Sequence, residues 1–230
     1  MEKVVVLTGA GMSADSGLKT FRDSDGLWEG YDIEDVATPQ AWEKDKQLVL
    51  DFYNDRRVQS YSVEPNKGHE AIARLEDKYD VTIITQNVDK LHERAGSTHV
   101  LHLHGQLSKV RSERDSSLVY DIGGDTIKLG DTADDGAQLR PHVVWFGEPV
   151  PNMNKAAEIV PRADILIVIG TSLVVYPAAG LVDLTSGDIS KYIIDPSKPE
   201  LSDYSGWKHI QRRSAVGTPE LVEELLSNSN

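Results

Sequence analysis

The stretch Val4-Val5-Val6-Leu7-Thr8-Gly9-Ala10-Gly11-Met12-Ser13-Ala14-Asp15-Ser16-Gly17 constrains the fold more than any other part of the chain. A run of branched apolar residues breaks abruptly into a glycine-rich turn and then into small and polar residues. Consecutive branched side chains suit a parallel strand buried on both faces. Gly9 and Gly11 let backbone amides approach an anion closely. Read alone, the segment fits either a nucleotide pyrophosphate site or an ordinary strand-to-helix turn of an α/β protein. It departs from the dinucleotide fingerprint G-x-G-x-x-G, because Ser13 and Ala14 stand where a spacer and the third glycine are expected. Chemistry other than hydride transfer is therefore open.

Three later runs repeat the strand pattern: Val81-Thr82-Ile83-Ile84-Thr85, Ile165-Leu166-Ile167-Val168-Ile169 and Tyr192-Ile193-Ile194-Asp195. The first ends in Gln86-Asn87-Val88-Asp89 and the second in Gly170-Thr171-Ser172. Polar residues at the carboxyl ends of parallel strands are where open α/β sheets place ligands. Helical patterns separate the strands, over Pro65 to Lys78 with Ile72 and Leu75 facing inward and over Pro177 to Thr185. Thr218-Pro219 reads as the cap of a last helix through Leu226.

The expected fold class is therefore α/β: a doubly wound, parallel, Rossmann-like sheet from residues 1–30, 67–105 and 140–230, with Arg140 to Glu148 returning the chain to the sheet. Residues 31–66 and 106–139 form a smaller inserted domain, with the ligand in the cleft between the two. Its first part is helical from Asp32 to Tyr61, opened by Thr38-Pro39. In its second part, Leu118-Val119-Tyr120 and Thr126-Ile127-Lys128-Leu129 flank Gly123-Gly124 and read as a β-hairpin. Asp131, Asp134 and Asp135 lack calcium-loop spacing and read as solvated. Lys19 to Tyr31 reads as a long loop, either a lid over a cofactor or a surface loop pinned by Phe21 and Trp28.

Composition enters as exclusions. Lys and Arg total 24 against 37 Asp and Glu, a net charge of −13, which argues against sequence-independent nucleic-acid binding. With no cysteine, disulfides, thiol nucleophiles and thiolate metal sites are absent. No apolar run approaches the roughly 20 residues of a membrane span and no secretory leader pattern opens the chain, so a soluble, cytoplasmic protein without membrane partners is expected. His99, His102 and His104 read as sharing one side of an extended strand. No carboxylate or cysteine completes a metal set with them, and His99 and His104 would stand roughly 13 Å apart, so no metal is expected there.

Five blocks now line up in order and spacing: Gly9-Ala10-Gly11-Met12-Ser13; Gly17-Leu18-Lys19-Thr20-Phe21-Arg22; Thr85-Gln86-Asn87-Val88-Asp89; Leu103-His104-Gly105; and Gly170-Thr171-Ser172. With them the chain resembles the sirtuins, NAD-dependent protein-lysine deacylases, from its first strand to its last helix. The resemblance implies NAD as a co-substrate lying across the carboxyl ends of the strands. Gly9, Ala10, Gly11, Ser13, Asp15, Thr20, Phe21, Arg22, Trp28, Gln86, Asn87, Asp89, Gly170, Thr171, Ser172, Ile194, Asp195 and Ser214 would bind it. Asn87 and Asp89 would hold the nicotinamide carboxamide, and His104 would act as general base on a ribose hydroxyl. Nicotinamide, O-acyl-ADP-ribose and free lysine would be the products. The residue types suit that chemistry, because cleaving the glycosidic bond develops positive charge on the ribose and calls for positioning in a dry pocket.

The resemblance extends to the acyl-lysine substrate, a protein or peptide. Val144-Trp145-Phe146-Gly147-Glu148 and Leu173-Val174 resemble the two segments that clamp an extended peptide by strand addition. Tyr53 and Arg56, three apart on a helix, resemble the pair that holds an acyl carboxylate in the bacterial, acidic-acyl class III of the family, and Ala37 the small residue that leaves room for the longer chain. A guanidinium and a phenol make a reasonable receptor for succinyl or malonyl groups. The enzyme expected is thus a desuccinylase and demalonylase with deacetylase activity, acting as a monomer.

Two departures stand out. Sirtuins commonly hold a structural zinc on four cysteines between the His-Gly block and the block at 141–148. This chain has none, with Ser112 near the place of the first, so a zinc-free module is expected. Asp195 stands where an Asn is usual at the adenosine ribose. The rival functions are protein ADP-ribosyl transfer at the same site, a non-catalytic NAD or ADP-ribose sensor and, weakest, a nicotinamide oxidoreductase.

Overall fold

The computed structural model describes residues 1–19, 30–185, 188–201 and 203–228. In chain order its regular elements are β1 (Lys3–Thr8), α1 (Gly11–Ala14), α2 (Ile33–Val36), α3 (Pro39–Lys44), α4 (Lys46–Ser62), α5 (Lys67–Leu75), β2 (Asp80–Thr85), α6 (Leu91–Arg94), β3 (Val100–His102), β4 (Gly105–Ser112), β5 (Val119–Asp121), β6 (Leu139–Val143), α7 (Met153–Ile159), β7 (Ile165–Ile169), β8 (Ser190–Ile194), β9 (Trp207–Ile210) and α8 (Ser214–Asn228). Short 3-10 segments cover Val160–Arg162 and Ala178–Leu184.

Among the described residues, six strands form one sheet in the order β3-β2-β1-β7-β8-β9, every pair parallel. The chain builds outward from β1 on one side, then restarts at β7 on the other. That reversal is the Rossmann-type switch point, and it lies between β1 and β7.

The strands are apolar on both faces because both are covered. Val4, Val6, Ile83 and Ile167 pack against Ile72 and Leu75 of α5 and Leu221 and Val222 of α8. Val5, Leu7, Ile84 and Val168 pack on the other side against Ala156, Val160 and Leu181. Alternate residues of one strand thus feed two cores, as doubly wound topology requires.

A second sheet of three antiparallel strands, β5-β4-β6, packs with α2, α3 and α4 around a third core that includes Val36, Trp42, Phe52, Tyr53, Val110, Ile127 and Trp145. Thr38 caps α3 as the sequence predicts, its hydroxyl accepting from the Ala41 amide with Pro39 in the first turn.

The predicted hairpin of 118–120 with 126–129 is not formed. Tyr120 pairs with Val110 of β4 instead. The backbone of Ile127 is satisfied by one side chain, Asn54, whose Nδ2 donates to the Ile127 carbonyl at 2.7 Å and whose Oδ1 accepts the Ile127 amide at 3.1 Å. Residues 139–143 likewise return to this small sheet and not to the large one.

Three other expectations need correction. The segment after Pro177 is 3-10 and not α-helical. Strand β9 has no counterpart in the sequence reading. Helix α8 begins at Ser214, about a turn before Thr218-Pro219, because its first amides are met from far away in the chain. Asp15 Oδ2 accepts the Ala215 amide at 3.2 Å.

Candidate active site

The carboxyl ends of β1, β2 and β7 converge at the switch point. Gly9 and Gly11 donate their amides to the carbonyls of Ile169 and Gly170. A Cβ on Gly11 would sit 2.7 Å from the Gly170 Cα, and one on Gly170, at φ +61°, would sit 2.3 Å from the Met12 amide. The missing side chains at 9, 11 and 170 therefore serve first to let two turns interlock. Helix α1, which follows, is a single turn of four residues. Ala10 flanks its start, and Ser214 is held against it by a hydroxyl bond to the Gly11 carbonyl at 2.7 Å.

Directly beside that turn, the segment after β2 is fixed at nearly every polar atom. Asn87 commits both amide hydrogens, one to the Gly9 carbonyl at 3.0 Å and one to Ser13 Oγ at 3.1 Å. Its Oδ1 is left as the acceptor for a ligand. Ser13 donates to Asp89 Oδ2 at 3.0 Å and the Leu91 amide donates to Oδ1 at 3.0 Å. Burial nevertheless pushes the Asp89 carboxyl above its ordinary range, the two hydrogen bonds opposing it. Gln86 reaches across to Thr171 Oγ1 at 3.3 Å.

His104 Nδ1 lies 3.1 Å from the Gln86 carbonyl. Burial lowers its pKa below the usual 6.5, opposed by that hydrogen bond. The three histidines do not share a side. His99 is exposed beside Thr98, whereas His102 and His104 both turn toward residues 86–87. An odd spacing separates His99 from His102 on an extended chain, and neighbours at odd spacing face opposite ways. No group of three or more His, Asp or Glu side chains placed to hold a metal occurs among the described residues.

The remaining residues expected on the adenosine side follow. Ile194 is buried at the end of β8, and its carbonyl accepts the Gly170 amide. Half-buried Asp195 has a carboxyl raised by desolvation and accepts the Ser197 amide at 2.8 Å. Asp15 binds Arg213 and the α8 amide. Ser172 is exposed. Thr20, Phe21, Arg22 and Trp28, and with them most of the expected lid, lie outside the described residues.

Most of the residues expected to bind the acyl group and the peptide lie at the small module, with Leu173 and Val174 after β7. Tyr53 is buried, its oxygen accepts from Trp145 Nε1 at 3.0 Å, and burial raises its pKa, so the phenol stays neutral. Arg56, a helical turn on, lies over the Phe52 ring with its guanidinium carbon 4.7 Å from the centroid. Its Nε and Nη1 are buried without a hydrogen-bond partner. The Phe146 amide donates to the Ala37 carbonyl at 3.0 Å and the Val144 amide to the His104 carbonyl at 2.9 Å, which ties the expected clamp to Ala37 and to His104.

In that clamp Phe146 and Gly147 are exposed. Glu148 instead binds Arg140 through both carboxylate oxygens, and the Arg140 guanidinium stacks 3.3 Å over Trp145. Leu173 is buried at φ +57°, a left-handed backbone rare for leucine, and Val174 is half-buried.

Sequence reasoning missed three supports of the site. They are His102 with Glu93, the Arg140–Glu148 pair, and Arg57, which is fully buried and donates to the Leu107 carbonyl at 2.6 Å. The unbroken run Phe52-Tyr53-Asn54-Asp55-Arg56-Arg57 drew attention to Arg56, and only burial separates it from its neighbour.

The donor set fits the dinucleotide implied by the resemblance: an interlocked glycine turn at a sheet switch point, a lone amide acceptor beside a buried carboxyl, and a neutral histidine with one free nitrogen. It does not fit zinc. Ser112, near the expected first cysteine, is buried and donates to Asp135 Oδ2 at 2.7 Å while accepting from the amides of Arg114 and Asp115.

Fold and site together define a nucleotide-binding α/β protein whose polar groups gather at the carboxyl edge of a parallel sheet. Residues 9–177 match the model of the Sir2 family. An NAD-dependent protein deacylase of Helicobacter pylori is 59% identical over 196 residues, 85% of each chain, and one of Bacteroides thetaiotaomicron is 52% identical over 231 residues, 98% of each. Among solved structures, a Sir2 homologue in complex with NAD superposes with a TM-score of 0.88 at 40% identity, covering 98% of this chain and 90% of that one. A mutant Sir2 homologue in complex with ADP-ribose gives 0.90 at 39%, covering 99% and 94%. The chain belongs to the Sir2 family.

Proposed function

We propose that this protein is an NAD-dependent protein-lysine deacylase that favours acidic acyl groups, acting as desuccinylase and demalonylase and also as deacetylase. The relatives' activity and the placement of His104, Asn87 and Asp89 support the reaction. Bound at the switch point, NAD supplies the ribose carbon that is attacked and nicotinamide as leaving group. Asn87 Oδ1 would accept from the carboxamide with Asp89 beside it, holding the leaving group in one orientation. His104, fixed through Nδ1, presents Nε2 to take a proton from a ribose hydroxyl.

The observation that supports acidic acyl groups is Arg56. Two of its guanidinium nitrogens are buried and unpartnered, a costly state that a ligand carboxylate would relieve. Tyr53, neutral and anchored by Trp145, can approach the same carboxylate without repelling it. Ala37, buried in the same core as Tyr53, has the small side chain that room for a longer acyl chain would require.

The reading also takes 1–30, 67–105 and 140–230 as the NAD-binding domain and 31–66 with 106–139 as the small domain; the separate third core supports the division, but it includes Val143 and Trp145 and so moves the second boundary beyond residue 145. It takes the partners as acyl-lysine proteins or peptides, without nucleic acid or membrane, for a cytoplasmic monomer. Among the described residues no helix is long and apolar enough to cross a membrane. The test is to compare succinyl-, malonyl- and acetyl-lysine peptides with NAD. Faster turnover of the acidic acyl peptides, lost in Arg56→Ala, supports the preference. Equal activity of Arg56→Ala on succinyl peptide overturns it.

A further inference from the structure

His102 and His104 stand two residues apart and act on consecutive carbonyls of one turn. His104 Nδ1 meets the Gln86 carbonyl, and His102 Nδ1 meets the Asn87 carbonyl at 3.0 Å. The two rings differ in their second nitrogen. His102 Nε2 is engaged, 2.8 Å from Glu93 Oε1. Glu93 sits on α6, the single helical turn that starts beside Asp89, and Gln106 Nε2 adds a long contact to the same oxygen at 3.5 Å. His102 is buried, and its own carbonyl accepts from Asn152 Nδ2 at 2.7 Å.

A carbonyl oxygen and a carboxylate oxygen are both acceptors, and a neutral imidazole has only one hydrogen to offer. We propose that His102 is a doubly protonated imidazolium, ion-paired with Glu93, that positions the Asn87–Asp89 turn for nicotinamide. The pair is a positioning device: it grips the backbone of Asn87 while the side chain of Asn87 is held separately by Gly9 and Ser13.

Three titratable groups lie where such a charge would act. Burial alone would raise the Glu93 carboxyl, yet the hydrogen bond and charge of His102 outweigh it and hold Glu93 below the ordinary range. Asp89, pushed up by burial, is drawn back by its hydrogen bonds and by His102. His92 is pushed well below 6.5, first by burial and then by the charges of His69 and His102. With the proposed charge on His102 in place, part of the cost of burying the Asp89 carboxyl is offset.

The inference rests on the deacylase reading for its functional half and on geometry for its chemical half, and the experiment separates them. Nitrogen-15 spectra of the ligand-free wild-type protein at pH 7.5 should show both ring nitrogens of His102 protonated, whereas His104 should show one protonated and one bare nitrogen. A bare nitrogen on His102 overturns the proposal. In parallel, Glu93→Gln, checked by thermal melting, should raise the KM for NAD and the inhibition constant of nicotinamide about tenfold at unchanged KM for the acyl-lysine peptide. Wild-type values for both constants in Glu93→Gln overturn the positioning role. Wild-type nicotinamide release with an acyl-lysine peptide is measured alongside. Its absence would defeat the deacylase reading and leave the spectra to decide the ion pair.

Discussion

His104 Nδ1 points at the Gln86 carbonyl from 3.1 Å, and this contact decides which of its nitrogens can do chemistry. A carbonyl only accepts, so Nδ1 carries the hydrogen and Nε2 keeps its lone pair. Burial lowers the pKa further, against the pull of the Gln86 bond, and so favours the neutral form. The neutral form is the base, so activity should persist through neutral pH. The acidic limb of the kcat/KM profile for acyl peptide should fall below pH 6.5. His104→Asn should reduce turnover by roughly 10²–10⁴-fold, the usual contribution of a positioned base. A limb centred above pH 7 would contradict the assignment.

Arg56 makes the acyl preference testable by a difference. A hydrogen-bonded charge pair contributes about 1.5–3 kcal/mol, so Arg56→Ala should lower kcat/KM for succinyl-lysine peptide roughly 10- to 100-fold. Acetyl-lysine peptide, which has no carboxylate to hold, should change by less than about threefold on the same argument. Tyr53→Phe should shift the ratio in the same direction but also loosen Trp145, whose indole it anchors. Parallel losses on both peptides would remove Arg56 from the acyl site.

The small module is held by hydrogen bonds where zinc might be sought. Ser112→Ala removes the donor to Asp135 and leaves the amides of Arg114 and Asp115 without their acceptor. A destabilisation of about 1–3 kcal/mol follows, readable as a lower melting temperature. Chelator should leave the wild-type melting temperature unchanged. Stoichiometric zinc by elemental analysis after extensive dialysis would defeat the zinc-free expectation.

Buried histidines set an acid limit on stability. Burial pushes His69 down to about 4 and His92 in the same direction. A folded pKa below the unfolded one means that the unfolded chain binds the proton first, so stability is present above pH 6.5 and is lost as pH falls toward 4. For His69 alone the loss approaches roughly 3 kcal/mol, from the shift at 1.36 kcal/mol per unit. The melting temperature should fall steadily from pH 7 to 5, and less in His69→Gln, which keeps an acceptor for the Asn66 amide that His69 Nδ1 now receives. A flat profile over that range would contradict this.

What the sequence revealed follows from where each element's partners lie. Strands β1, β2 and β7 are apolar on both faces, so their pattern is unambiguous, and the polar residues that follow them mark the site. Strand β4 escaped because its outer face carries Lys109 and Arg111 and its inner face admits Ser108 and Ser112, so little apolar alternation remains. The true start of α8 depends on Asp15, about two hundred residues away. The false hairpin at 126–129 rests on Ile127, whose ladder partners are supplied by the Asn54 side chain. Residue identity singled out His104, Asn87 and Asp89 as candidates, but the hydrogen bonds that His104 and His102 make to the Gln86 and Asn87 carbonyls depend on neighbours that only the fold brings near.

The central claim is that this chain consumes NAD to free lysine, and equimolarity tests it most directly. Wild-type protein incubated with NAD and a succinyl-lysine peptide should release nicotinamide and free-lysine peptide in equal amounts, with none of either when one substrate is omitted. Nicotinamide release while the peptide keeps its mass, or no release at all, would contradict the account.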